Sequence, residues 1–130
     1  MIQENTIDIN IEFTFNDKNY TTELTETDAE NDLEFLIKET ICALDYAETS
    51  DLYRGGYNHN PSKLRAKYIC EDIQRKIVDE IDDQDLCKDE YDVDYSKNFN
   101  KNLIEVYAYI DGGKKYDVTN NIKMQYNDNN

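Results

Sequence analysis

Residues 77–95, IVDEIDDQDLCKDEYDVDY, hold nine carboxylates opposed only by Lys88. Side chains at adjacent helical turns or alternate strand positions lie roughly 5–7 Å apart. Carboxylates at that spacing can present a polyanion, as a nucleic-acid backbone does. Asp79, Glu80, Asp82, Asp83, Asp85, Asp89, Glu90, Asp92 and Asp94 are the candidates. Asp28, Glu30, Asp32 and Glu34 form a second acidic group upstream. The plain alternative is a solvated surface, the usual fate of a charge run. Calcium is poorly served: Asp83 and Asp85 begin like an EF-hand loop, but its glycine is missing and Cys87 takes an oxygen ligand's place. No metal site and no cofactor are expected.

A second constellation is Arg54, Gly55, Gly56, Tyr57, His59, Lys63 and Arg65. A Gly-Gly turn leading into a helix start, flanked by cations, can hold a phosphate or nucleotide, and Tyr57 or His59 could stack on a base. Neither G-x-x-x-x-G-K-[ST] nor G-x-G-x-x-G is present. The basic residues serve equally well as counter-charge to the acids around them. Nucleophilic catalysis has little to build on. His59 is the one histidine, and nothing places it beside a cysteine or serine. No pair of carboxylates stands out for glycosidic work either. The expectation is a protein that is not an enzyme.

A net charge of −15 on 130 residues is extreme. It favours solubility, opposes compaction, and argues against direct contact with nucleic acid or anionic membrane. Cys42, Cys70 and Cys87 are odd in number and lack C-x-x-C spacing. Cys42 and Cys70 fall in predicted helices as small buried hydrophobes, and a reduced, cytoplasmic setting is expected. The opening MIQENTIDIN has no basic or apolar run, and no stretch approaches 18 apolar residues, so neither a signal peptide nor a membrane span is expected.

These residues need elements to position them. Ile7, Ile9, Ile11, Phe13 and Phe15 alternate with Asp8, Asn10, Glu12 and Thr14, which predicts a strand with one wet face. A turn at 16–19 returns it through Tyr20, Thr22 and Leu24. Thr27 and Glu30 read as a capping box before a helix with Leu33, Leu36, Ile37, Thr40, Ile41 and Leu44 on its apolar stripe. Pro61 opens a second helix reaching about Ile81, with Ala66, Ile69, Cys70, Ile73, Ile77 and Ile81 facing inward. Residues 82–90 read as loop or frayed helix end, residues 91–95 as a short edge strand and residues 96–102 as linker. Ile104, Val106, Ala108 and Ile110 predict a third strand with Tyr107 and Tyr109 outward, able to anchor a protein interface. A turn at 111–114 returns the chain through Tyr116 and Val118, and Ile122, Met124 and Tyr126 could add a last strand.

The order is ββ-αα-ββ(β): an α+β, two-layer fold, with an antiparallel sheet of four or five strands and two helices on one face. Residues 1–130 make a single domain, with 127–130 a frayed tail. In size, charge, and tyrosine and asparagine content, the chain resembles the small acidic inhibitors that phages and mobile elements turn on host defences, the anti-CRISPR and antirestriction DNA mimics. That resemblance implies a cytoplasmic binding protein which mimics nucleic acid. Its partner would be a basic nucleic-acid-binding protein, a host defence nuclease or effector complex, with homodimerisation left open. The alternatives are a protein that binds or sequesters a nucleotide signal through the loop from Arg54 to Lys63, and a phage or bacterial structural or assembly protein built through strand edges and tyrosines.

Overall fold

The computed structural model describes residues 4–49, 61–83 and 100–123, the side chains of Asp82 and Asp83 excepted. Strand β1 (Asn5–Phe15) buries Ile7, Ile9, Ile11, Phe13 and Phe15 and leaves the alternate residues to solvent, as the period of two requires. It turns directly into β2 (Lys18–Asp28). Only Asn16 and Asp17 lie between the strands, at φ 54° and 63°. A two-residue hairpin turn of this kind needs positive φ at both positions, and short polar side chains tolerate it best after glycine.

Helix α1 (Leu33–Thr49) starts later than the capping box predicts. Thr27 instead belongs to β2, opposite Thr6, and strand pairing continues to Asp28 opposite Asn5. Asp28 Oδ1 accepts the backbone N–H groups of Glu30 (2.9 Å) and Asn31 (3.1 Å), and so bends the chain out of the sheet. Asp32 is the cap: its Oδ1 accepts Phe35 N–H at 2.8 Å. The ladder to β1 outcompetes the local cap at Thr27. Asp32→Ala is therefore expected to cost about 1 kcal/mol in urea denaturation, whereas Thr27→Ala should change stability by less than about half of that.

Helix α2 (Pro61–Asp83) carries the expected stripe, with Ala66, Ile69, Cys70, Ile73, Ile77 and Ile81 all buried. On α1 the core positions are Leu36, Thr40, Ala43, Leu44 and Ala47. Leu33 and Ile41, expected inside, are exposed, and so is Cys42. Their places are taken by the alanines, which let α1 approach its neighbours closely.

Strand β3 (Leu103–Ile110) pairs with β1, and β4 (Tyr116–Asp117) with β3, in an antiparallel sheet of order β2-β1-β3-β4. The inward row of β3 differs from its alternation. Leu103 is buried and Ile104 is 49% exposed, because Phe15 pairs with Leu103 while Thr14 pairs with Glu105. Ile104 is the extra residue of a β-bulge, which shifts the facing by one position. At the β3–β4 turn Gly112 has φ +77°, and a Cβ on Gly113 would sit 2.9 Å from Ile110 O. Both glycines are required there.

Among the described residues no fifth strand follows, and Ile122 belongs instead to a helix, α3 (Thr119–Lys123), while the edge strand expected at 91–95 lies outside those residues. Met124 and Tyr126, like the tail at 127–130, lie outside the described residues. Asp117 Oδ1 accepts both the N–H (3.0 Å) and the hydroxyl (2.6 Å) of Thr119. The same hydroxyl accepts Val106 N–H at 2.7 Å, a bond that a continuing strand would have filled with backbone. The chain turns inward there, Ile122 enters the core, and Asn121 Nδ2 donates to Ala47 O of α1.

The inward rows of β1 and β3 share one apolar core with α1, α2 and α3. The fold is α+β, with four antiparallel strands among the described residues and the helices on one side of them. Among the described residues nothing packs on the opposite face of the sheet.

Candidate functional site

The predicted acidic groups lie in different places. Glu30, Asp32 and Glu34 are exposed between β2 and the first turn of α1, where Glu34 pairs with Lys38 at 3.2 Å. Asp28 beside them is held below the usual carboxylate range, first by the Asn31 side-chain amide and then by the Glu30 N–H. Asp79 is exposed and Glu80 half-buried on the last turns of α2, with Glu80 Oε1 3.5 Å from Thr22 Oγ1. The backbone of Asp82 and Asp83 closes that helix. Asp85, Asp89, Glu90, Asp92 and Asp94 lie outside the described residues, as do Arg54, Gly55, Gly56, Tyr57 and His59. Arg65, near the start of α2, sits by Glu26 of β2, while Glu80 sits about 22 Å further along the helix. The fold does not bring the two described acidic groups together.

Lys63 and Arg65 are half-buried. Arg65 Nη2 lies 3.3 Å from Glu26 Oε1, and its Nε 3.4 Å from Glu39 Oε1. The carboxyl of Asp72 faces Glu26 and also pairs with Arg75 at 3.0 Å, while Lys67 pairs with Glu71 at 2.6 Å. Glu26 is pushed up to about 7, first by burial and then by the hydrogen bond and charge of Asp72, with Arg65 opposing. Arg65 is thus an internal counter-charge that joins β2, α1 and α2. A buried carboxylate without a cation is strongly unfavourable.

Glu39, Cys42, Ala43, Pro61, Ser62 and Arg65 line a cleft of about 250 Å³ between α1 and α2. Cys42 opens onto it. Cys70 is sealed in the core, and burial pushes its thiol up to about 12. Among the described residues no three His, Cys, Asp or Glu side chains are placed to share a metal ion.

A different surface draws charge together: the solvent face of the sheet. Register places Glu12 between Thr21 and Tyr107, Tyr107 between Glu12 and Asp117, Asn10 beside Glu23, and Thr14 beside Glu105. Asp8, Glu12, Glu23, Glu105 and Asp117 therefore form a chequerboard of diagonal neighbours, a relation that spans about 7–8 Å in an antiparallel sheet. Lys115 is the cation set against them, and it is already engaged. Its Nζ donates to Glu12 Oε1 at 2.8 Å and lies 5.2 Å from the centre of the Tyr109 ring. Tyr109 O–H donates to Glu12 Oε2 at 2.8 Å. These bonds lower Glu12, that of Lys115 foremost, and raise both Tyr109 and Lys115. Tyr107 is also raised, first by the charge of Glu105 and then by that of Asp117, as expected of a ring among carboxylates.

Sequence reasoning placed Tyr107 and Tyr109 on an outer face but overlooked Asp8, Glu12, Glu23, Glu105 and Asp117. The signal was the polar half of each alternation, which becomes a surface only once strand order is known. No known protein family, curated protein or solved structure matches the chain.

Proposed function

We propose that this chain is a non-enzymatic acidic binding protein that occupies the basic nucleic-acid-binding groove of a protein partner. A nuclease or effector complex of a DNA-targeting defence is the partner class that its charge profile favours. The reading rests on the outer sheet face, where among the described residues five carboxylates face one lysine that is already neutralised. A twisted sheet holds its side chains at fixed spacing, so a charge pattern on it is preorganised and loses little entropy on binding. The nucleotide-loop alternative loses Arg65, which is spent on Glu26 and Glu39.

The test is affinity capture from host lysate at low salt, repeated with excess duplex DNA. The expected result is a basic partner that is displaced by the DNA and released between roughly 50 and 500 mM salt. Capture indifferent to both would sink the electrostatic mechanism. Reversing Asp8, Glu23 and Glu105 to lysine should weaken capture at least about tenfold. The same reversal at Glu30, Glu34 and Asp79 should do less, and the opposite ranking would move the contact to the helix layer.

A further inference from the structure

Among the described residues, at least three tyrosine rings already carry a lysine. Lys115 lies over Tyr109 at 5.2 Å, Lys114 over Tyr116 at 5.0 Å and Lys67 over Tyr68 at 5.6 Å. Tyr107 is different. Among the described residues no cation lies over it, although carboxylates flank it on three sides: Glu12 across on β1, Asp117 across on β4, and Glu105 two residues earlier on its own strand. The Tyr107 hydroxyl lies 3.5 Å from Glu105 Oε1, the long limit of a hydrogen bond, so this carboxylate retains most of its accepting capacity. Glu12 is already engaged by Lys115 and Tyr109.

Tyr107 and Glu105 border a depression of about 240 Å³, whose floor and far wall come from Glu12, Thr14, Asn19 and Thr21. The Thr14 hydroxyl donates to Asn19 Oδ1 at 2.8 Å, which fixes that wall. Sites for whole small ligands run from about 300 Å³ upward, so this one suits a single side chain. An aromatic face beside the little-engaged carboxylate of Glu105 matches a guanidinium better than an ammonium. Arginine is planar, stacks on a ring, and offers paired donors to a carboxylate, while lysine is a compact and strongly hydrated point charge.

We propose that Tyr107 and Glu105 form a subsite for one arginine side chain of the partner, with Asp117 adding negative charge on the far side of the ring. The assignment rests on reading the sheet face as a contact surface, and it names the residue type that this surface selects. The hydroxyl of Tyr107 is dispensable in it, whereas the ring and the Glu105 charge are required.

The test uses the full chain and two capped peptides of equal length and charge, one alternating glycine with arginine and the other glycine with lysine. Titration followed by NMR on the Tyr107 and Glu105 backbone amides should show the arginine peptide binding roughly three- to fivefold tighter. Tyr107→Phe should keep that preference and Tyr107→Leu should erase it, with circular dichroism verifying the fold. Glu105→Gln should weaken both peptides, the arginine peptide more. Equal affinities, or a preference that survives in Tyr107→Leu, would overturn the subsite. The two readings fail separately. A salt-sensitive, DNA-competed partner without arginine preference removes only the subsite, and arginine selectivity without such a partner removes only the nucleic-acid-groove reading.

Discussion

Raising the pH from about 4.5 to beyond 7 is expected to cost the folded state about 3 kcal/mol at Glu26, and Glu26→Gln is expected to abolish that loss. Glu26 goes from 4.5 in the open chain to about 7 in the fold. Below the lower value both states hold the proton, and the favourable contribution is complete. Between the two values the unfolded chain ionises freely while the folded carboxyl resists, so the folded state binds more protons and stability falls with rising pH. At 1.36 kcal/mol per pH unit, the shift corresponds to about 3 kcal/mol once the pH passes 7. The groups facing Glu26 fix the sign. Asp72 of α2 holds the proton in place and repels the anion, while Arg65, shared with Glu39 of α1, only partly offsets the buried charge. Asp28 and Glu12 work the other way, since both are lowered and give stability that is lost as the pH falls through their folded values. Urea denaturation across about pH 5–8 should therefore show a decline in the native protein and a flatter profile in Glu26→Gln. Glutamine keeps the shape and can still bond to Asp72 and Arg65. Parallel profiles would mean that Glu26 is ionised in the fold.

Phe15→Ala is expected to cost about 3–5 kcal/mol, a large part of the 5–15 kcal/mol that an ordinary domain possesses. Phe15 is among the largest side chains with no solvent exposure, and it stands where the bulge sets Leu103 opposite it. Truncation leaves a hole beside a strand whose register is already irregular, so the neighbours cannot close it without disturbing the pairing. Phe35→Ala provides the contrast, because that ring is 48% exposed on α1 and should change the urea midpoint little. Similar losses in both variants would show that Phe15 lies at a site able to collapse.

The layout of this fold was legible wherever a single period ran unopposed. β1 and the stripe of α2 are examples, since each repeats one residue class at one spacing for several turns or pleats. Legibility failed wherever two local solutions competed and a distant partner decided between them. Thr27 reads as a cap in isolation and becomes a strand residue because Thr6 is there to pair with it. Ile104 fits an inward row until the register with Thr14 and Phe15 adds a bulge. Ile122 fits a strand until Thr119 and Asp117 turn the chain. The acids at Glu30, Asp32, Glu34 and Asp79 are exposed as a charge run predicts. The surface on which the proposed function now rests was not legible, because joining Glu12 to Tyr107 requires the pairing of segments far apart in sequence. A counter-charge role for Arg65 was legible, but not which acids it meets, because β2 and α1 contribute them.

Placing β1 at the centre of the sheet also governs the order in which the molecule can assemble during synthesis. Two residues separate β1 from β2, but 87 separate Phe15 from Leu103. Closing the longer loop costs about 3 kcal/mol more in chain entropy. The hairpin can form as soon as its residues leave the ribosome, whereas the second edge of β1 stays unpaired until residues 103–110 have been made. Through that interval the unpaired edge of β1 is a template on which another nascent chain can pair. Residues 1–53 meanwhile carry fourteen acids against two bases, a net of −12 that repels any second copy. The acidity of residues 1–53 therefore opposes contact between growing chains.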